Sequence, residues 1–194
     1  MNTKNKILNN IKLSTKNRDI ELEEIHYSFE KTGLIDDFIK SLESVSAGYR
    51  FFTTYEEALR LIDSIFPGKN RSINTIAEIE LESFDLSQIS SPKDIHPLDL
   101  AVINGKLGVA ENGAIWIDAG SLPYRAIPFI CENLVVVIDA ENIVENMHEA
   151  YQITDSYDYD YGVFITGPSK TADIEQTLVI GAQGARKMLV LIKN

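Results

Sequence analysis

The feature that most constrains the fold is a run of five consecutive apolar residues, Leu134-Val-Val-Val-Ile138. A strand with one face in water alternates polar and apolar residues, whereas a parallel strand covered on both faces is apolar throughout. The run is also far shorter than the roughly 20 residues that a membrane-spanning helix requires. It therefore predicts a buried central strand in a sheet that has helices on both sides.

Segments with the character of strands and of helices alternate along the rest of the chain. Strands are predicted at residues 49–52, 71–76, 99–103, 114–118, 162–166 and 187–192. Helices are predicted at residues 7–13, 20–42, 54–65 and 141–151, with a helix or capped segment at 169–177 and a loop at 92–97. This alternation is typical of an α/β fold with a twisted, mainly parallel sheet flanked by helices. We expect residues 1–48 to form an N-terminal helical segment that packs on an α/β domain of residues 49–194.

Composition excludes several classes of protein. The 194 residues carry a net charge of −11, with a sequence pI near 4.7, which argues against a nucleic-acid-binding protein. The single cysteine, Cys131, cannot hold an iron–sulfur cluster by itself, and the three histidines show no metal-ligand spacing. We therefore expect neither a metal ion nor another cofactor. The sequence has no signal-like segment and no membrane span, so we expect a cytoplasmic protein.

One candidate site follows the predicted strand at residues 163–166, in the sequence Gly167-Pro-Ser-Lys-Thr171. In open α/β sheets, ligands bind beyond the carboxyl ends of strands, where loops lead into helices. Free backbone N–H groups at a helix start favour an anion, and Lys170 would add a positive charge. The alternative is a structural role, in which the two hydroxyl residues cap the helix while Asp173 and Glu175 complement its dipole.

A second candidate site is the segment Glu111-Asn-Gly113. A carboxylate among small and apolar residues can have a raised pKa, so Glu111 is a candidate base or hydrogen-bond anchor. Asn-Gly is also the strongest short signal for a hairpin turn, and the alternative is a turn with a solvated glutamate. The sequence Gly181-Ala-Gln-Gly184 is a weaker candidate, either for approach to a phosphate or for a plain connection to the last strand.

Taken in order, segments of the C-terminal half resemble the LUD domain of the lactate-utilisation protein C family. The segments that carry the resemblance are residues 99–105, 108–114, 124–128 and 165–185. The last of them is the longest and most specific, and the resemblance extends over about residues 95–194. The chain departs from the family at Asn112, where the family typically has threonine.

The resemblance implies a fold similar to the NagB/RpiA/CoA-transferase group. It also implies a role similar to that of the subunit without iron–sulfur clusters in a three-protein system that oxidises L-lactate to pyruvate. In that system the two iron–sulfur partner subunits carry the cysteine-rich motifs. This chain has one cysteine, which is consistent with the role of the subunit that holds no cluster. An alternative is a stand-alone binding protein or enzyme for an acyl-CoA, a sugar phosphate or a folate-type ligand. A third interpretation gives these motifs no role beyond shaping the fold.

The resemblance further implies one ligand-binding cleft that both motifs line. Its predicted residues are Glu111, Asn112, Gly113, Gly167, Ser169, Lys170, Thr171, Asp173 and Glu175. Lys170 and nearby N–H groups would hold the carboxylate or phosphate of a small-molecule anion, and Glu111 would orient or deprotonate a neighbouring group. No residue is predicted to be catalytic.

Overall fold

The structure, a computed structural model, describes residues 3–14, 33–86, 89, 91–157, 160–172, 178–180 and 184–194. The chain divides into two compact units, residues 1–30 and residues 31–194. The first unit contains the helix Thr3–Ser14 (α1), which confirms the helix predicted there. The predicted helical stretch at residues 20–29 lies outside the described residues, and the predicted division at residue 48 stays a prediction.

The second unit contains the remaining helices and strands. Its helices are Leu34–Ser44 (α2), Tyr55–Ile65 (α3), Ile127–Ile130 (α4) and Met147–Thr154 (α5). Its strands are Gly48–Phe52 (β1), Ser72–Asn74 (β2), Leu98–Asn104 (β3), Leu107–Val109 (β4), Ile115–Asp118 (β5), Cys131–Asp139 (β6), Ile143–Val144 (β7), Gly162–Ile165 (β8), Lys170–Ala172 (β9), Leu178–Ile180 (β10) and Lys187–Lys193 (β11). Within the described ranges, no helix is both long enough and apolar enough to cross a membrane.

The main sheet contains five strands in the order β1-β11-β6-β3-β2, and all neighbouring strands are parallel. Strand β6 contains the apolar run and lies at the centre, between β11 and β3. Alternate residues of β6, beginning with Leu134, face a buried cluster that includes Phe38 and Leu42 of α2. The other residues, beginning with Val135, face a cluster that includes Ile62 of α3. The run is apolar on both faces because a separate hydrophobic core covers each face of the strand. The predicted α/β class with a mainly parallel sheet is confirmed.

A second sheet has the strand order β7-β4-β5-β8. Strand β5 is antiparallel to both β4 and β8, and β4 is parallel to β7. Trp116 of β5 packs on Phe164 of β8, with ring centroids 4.7 Å apart. A Cβ atom at Gly162 would overlap the Trp116 indole, so glycine is required where the two strands bring these rings together.

The helix predicted from residue 141 to residue 151 is wrong in its first half. Residues Ala140–Asn142 form a 3-10 turn, β7 follows, and α5 begins only at Met147, with Asn146 accepting a hydrogen bond from the Glu149 N–H. The reason is a tertiary contact, because Ile143 and Val144 pair with strand β4. Pairing with a distant strand overrides a local helical pattern of this length.

The helix or capped segment predicted at residues 169–177 is wrong over residues 170–172, which form strand β9. Strand β9 pairs with β10 in an antiparallel two-stranded sheet, in which Lys170 lies opposite Ile180. Residues 173–177 lie outside the described part of the chain. The loop predicted at 92–97 contains the 3-10 turn Pro92–Ile95, which has Ser91 as its N-cap.

Candidate functional site

The segment after β8, residues 166–170 (the 166–170 loop), lines a cavity of about 410 Å³. The other walls are formed by the end of α2, by α4, by β6, by the end of β8 and by the two residues 184 and 185 before β11. Most of the lining is apolar, and Thr166, Ser169 and Lys170 supply polar side chains. A volume of this order falls in the range of small-molecule sites.

Backbone contacts hold the 166–170 loop in place. The Ser169 N–H donates to the Ala185 carbonyl at 2.8 Å, so the loop is fixed to the chain just before β11. Gly167 has a φ of 66°, and a Cβ atom there would lie 2.6 Å from the carbonyl oxygen of Val45, at the end of α2. Both the left-handed conformation and the close approach to α2 require glycine at this position.

The cavity lies beyond the carboxyl end of β8, as expected for this loop, and at the amino ends of the central strands of the main sheet. Its walls include Leu134, early in β6, and Ala185, immediately before β11. Strand β8 belongs to the second sheet, so the loop after it can lie near the amino ends of strands in the main sheet. Ligand binding at this loop stays a prediction.

Lys170 is the cationic group of the 166–170 loop. Its side chain is exposed and forms no ion pair with an acidic side chain of the described residues. Thr171 lies beside it in β9, whereas Asp173 and Glu175 lie outside the described part of the chain. The anion-binding helix start expected here is replaced by a strand, so any attraction for an anion rests on the Lys170 charge.

Residues 111–113 (the 111–113 turn) connect β4 to β5 in a hairpin, as the Asn-Gly signal predicts. The Asn112 side-chain oxygen accepts a hydrogen bond from the Ala114 N–H at 2.9 Å. Gly113 has a φ of 71°, and its N–H donates to the Val109 carbonyl at 2.9 Å. The Asn112 side chain and Gly113 thus shape the turn itself.

The Glu111 carboxylate has a structural partner and does not line the cavity. It accepts a hydrogen bond from the Met147 N–H at 2.9 Å, at the first residue of α5. A negative group at a helix N-terminus both pairs a free N–H and interacts favourably with the helix dipole. The side chain is exposed, so the expected apolar surroundings for a carboxylate base are not present.

The two segments lie side by side, although only the 166–170 loop faces the cavity. The Thr166 hydroxyl donates to the Asn112 carbonyl at 3.0 Å. Helix α2 contacts both segments: the Ser41 hydroxyl donates to the carbonyl of Ala110 at 2.6 Å, and Val45 packs at Gly167. Sequence reasoning missed these α2 residues, because nothing in an amphipathic helix pattern marks its contacts with distant turns.

Asp118 and Cys131 are buried groups with shifted pKa values. Burial alone would raise the pKa of Asp118, but hydrogen bonds from Lys106 and Ser121 together with the Lys106 charge hold it below its usual range. Burial raises the pKa of the Cys131 thiol to about 12, so this thiol stays protonated at neutral pH. Among the residues that the structure describes, no group of three or more His, Cys, Asp or Glu side chains is placed to hold a metal ion.

Comparison with known proteins identifies the family. The family model of the LUD domain matches residues 92–192, and the chain belongs to the LUD domain family. A crystal structure of a DUF162 family protein from Deinococcus radiodurans has the same fold, with a TM-score of 0.60 and 14% sequence identity. That likeness covers 86% of this chain and 100% of the other. The LUD family and the α/β fold with a mainly parallel sheet are therefore confirmed.

Several curated relatives are named Lactate utilization protein C. The protein from Geobacillus kaustophilus is 29% identical over 90 residues, which are 43% of this chain and 38% of that protein. The protein from Oceanobacillus iheyensis is 28% identical over 131 residues, which are 60% of this chain and 54% of that protein. The chain thus spans less than two thirds of the length of these relatives.

Proposed function

We propose that this chain acts in lactate utilisation, as the subunit without iron–sulfur clusters in a complex that oxidises L-lactate to pyruvate. The observation that carries the proposal is the match of its LUD domain to relatives named Lactate utilization protein C. Oxidation of lactate to pyruvate removes two electrons and two protons. The electrons require an acceptor, which we assign to iron–sulfur clusters of partner subunits.

The chemistry of Cys131 supports this division of labour. Iron–sulfur clusters are held by several cysteine thiolates, and these 194 residues contain one cysteine. Cys131 is only 2% exposed, and its raised pKa keeps the thiol protonated, whereas a metal ligand has to be a thiolate. A chain of this kind would contribute binding or positioning, and its partners would contribute electron transfer.

The test is purification of the tagged chain from its native host, grown with and without L-lactate. We expect a brown eluate after growth on lactate, with cluster absorbance in the visible spectrum and two cysteine-rich proteins identified by mass spectrometry. A colourless protein that elutes alone under both conditions would overturn the proposal.

A Cys131→Ala variant is the matched control for the origin of the colour. If the clusters belong to the partners, this variant retains both the partners and their visible absorbance. Retention of the partners with loss of the colour would show that Cys131 is a cluster ligand and would contradict the assignment.

A second candidate function is binding of a small organic anion beside Lys170, and the 410 Å³ cavity favours it. Lys170 has no acidic partner in the described ranges, so its charge is available to a carboxylate or phosphate. We expect L-lactate, pyruvate or inorganic phosphate to raise the melting temperature of the wild type but not of Lys170→Ala. Lys40→Ala is the control, since Lys40 is exposed and pairs with Asp37 on α2. No shift with any of the three anions would count against this function.

A further inference from the structure

A second cavity, of about 360 Å³, adjoins the one beside Lys170. The two cavities share Phe129 and Gly184, so they meet at these residues. The second cavity is also lined by His96, Glu132 and Arg186, near the amino ends of β3, β6 and β11. Each cavity alone has the size of a small-molecule site, and together they offer room for an elongated ligand.

Phe129 stands where the two cavities meet. The residue is 40% exposed, so its ring is accessible to a molecule in either cavity. Because the residue lines both cavities, an extended ligand that occupied both would pass over it. An exposed aromatic ring in such a position is suited to stack on a flat ring of the ligand.

Gly184 leaves the junction open. Its φ is 130°, a conformation that residues with a side chain rarely adopt. A Cβ atom there would lie 3.3 Å from the Cβ of Ser169 and 3.9 Å from the carbonyl oxygen of Phe129. A side chain at this position would therefore project between the first cavity and Phe129.

The two cavities differ in charge. The first contains the Lys170 cation, without an acidic partner among the described residues. In the second, Arg186 is paired with Glu132 at 3.2 Å. Asp99, which also lines it, accepts hydrogen bonds from two backbone N–H groups. The first cavity thus favours an anion. In the second cavity, Arg186 offers hydrogen-bond donors and Glu132 offers acceptors, and their charges offset each other, so this cavity suits a neutral polar group.

We propose that the two cavities form one groove that binds a nucleotide. Lys170 and Ser169 would contact the phosphate, the base would stack on Phe129, and its polar edge would lie near Arg186 and Glu132. The proposal rests on the second candidate function, anion binding beside Lys170, and names the class of ligand. A mononucleotide carries one phosphate, so the overall charge of −11 opposes it far less than it opposes a nucleic acid.

The test uses AMP, UMP and inorganic phosphate as separate probes for the full chain. Trp116 is the only tryptophan of the sequence, and its ring packs on Phe164, which lines the first cavity. Titrations are followed by Trp116 fluorescence and by calorimetry. We expect both nucleotides to bind at least about tenfold more tightly than phosphate, because stacking of a base on an aromatic ring contributes about that factor.

Two variants separate stacking from anion binding. Phe129→Leu keeps an apolar side chain but removes the ring, and we expect nucleotide affinity to fall about tenfold while phosphate affinity is unchanged. Phe51→Leu is the matched control, because Phe51 is 36% exposed and lies in β1, outside both cavities. Lys170→Ala should weaken binding of all three probes.

The outcomes distinguish the two proposals. If phosphate binds and the nucleotides bind no more tightly, the nucleotide groove is wrong and the anion site stands. If none of the probes binds, both are wrong. If Phe129→Leu weakens phosphate and nucleotide equally, or leaves both unchanged, the ring does not stack on a base and the groove proposal fails.

Discussion

The 111–113 turn and the 166–170 loop are adjacent in space, but they use their polar groups in different ways. In the turn, the Glu111 carboxylate accepts from Met147 and the Asn112 side chain accepts from Ala114. In the loop, Lys170 extends beside a cavity without an acidic partner in the described residues. Two segments that both carry the family resemblance therefore have different roles. One supports the fold, and the other has side-chain chemistry left for a ligand.

The difference follows from what surrounds each segment. The turn is enclosed between α2 and α5: Gly113 lies against the α2 backbone, and Glu111 contacts the start of α5. The loop approaches α2 at Val45, and its residues line the cavity. A motif enclosed by helices has its hydrogen bonds satisfied within the protein, whereas a motif at a cavity can satisfy them with a bound molecule.

The largest expected effect is on stability, from Gly113→Ala. An alanine would have to adopt the left-handed conformation, and its Cβ would lie 3.1 Å from the backbone nitrogen of Leu42. We expect unfolding free energy to fall by about 3 kcal/mol, measured by urea denaturation. Gly68→Ala is the matched control, because Gly68 has a φ of 73° with no atom within 4 Å of the added Cβ. Equal losses in the two variants would show that contact with α2 does not matter.

A smaller loss is expected from Glu111→Ala, which removes the acceptor for the Met147 N–H and the negative charge at the start of α5. We predict a loss of about 1 kcal/mol in unfolding free energy. Glu111→Gln keeps an acceptor oxygen without the charge and should lose about half as much. Anion binding beside Lys170 should be unchanged in both variants. A loss of anion affinity would show that Glu111 takes part in the binding site, and the two segments would then not differ in role.

The hydrogen bond that joins the two segments can be tested with Thr166→Val. This substitution keeps the shape of the side chain but removes the hydroxyl that donates to the Asn112 carbonyl. Because Thr166 is exposed, water can satisfy the freed carbonyl, and the expected loss is about 0.5 kcal/mol by thermal denaturation. A loss several times larger would mean that the loop depends on the turn for its position.

The smallest expected change in stability comes from Lys170→Ala. An exposed lysine that forms no ion pair with a described acidic side chain contributes little to folding, so unfolding free energy should change by less than about 0.5 kcal/mol. Anion binding by calorimetry should nevertheless be lost. Lys170→Ala would thus remove anion binding with little change in stability, whereas Glu111→Ala would lower stability without changing anion binding. If Lys170→Ala strongly destabilised the protein, the prediction would be wrong, and the 166–170 loop would have a structural role like that of the 111–113 turn.

The parts of the fold that local pattern determines were predictable. The run from Leu134 to Ile138 indicated a doubly covered strand, and Thr54 indicated the start of α3, where its hydroxyl accepts from the Glu57 N–H at 3.3 Å. The errors occur where a distant partner decides the structure. Ile143 and Val144 pair with β4, and β9 pairs with β10, although the local sequence in both places favours a helix.

The candidate site was less predictable than the fold. Family resemblance pointed to Gly167, Ser169 and Lys170, which do lie together at the cavity. The cavity is also lined by Val45 and Phe129, residues that are far apart in sequence and carry no motif. Their position depends on how α2 and α4 pack on the sheet, which a single sequence does not reveal. The ligand role of all nine predicted residues stays a prediction.

The strand order of the main sheet has a consequence for the timing of folding. Strand β11 is the last of the described strands along the chain, yet it lies between β1 and β6 and is the only neighbour of β1 in that sheet. Gly48 pairs with Leu189, so β1 cannot complete its pairing during synthesis until almost all of these residues have been translated. Contacts between segments so distant in sequence slow folding. In the interval, the apolar strand β6 lacks one of its two neighbours, and a nascent chain stalled there would expose an aggregation-prone edge.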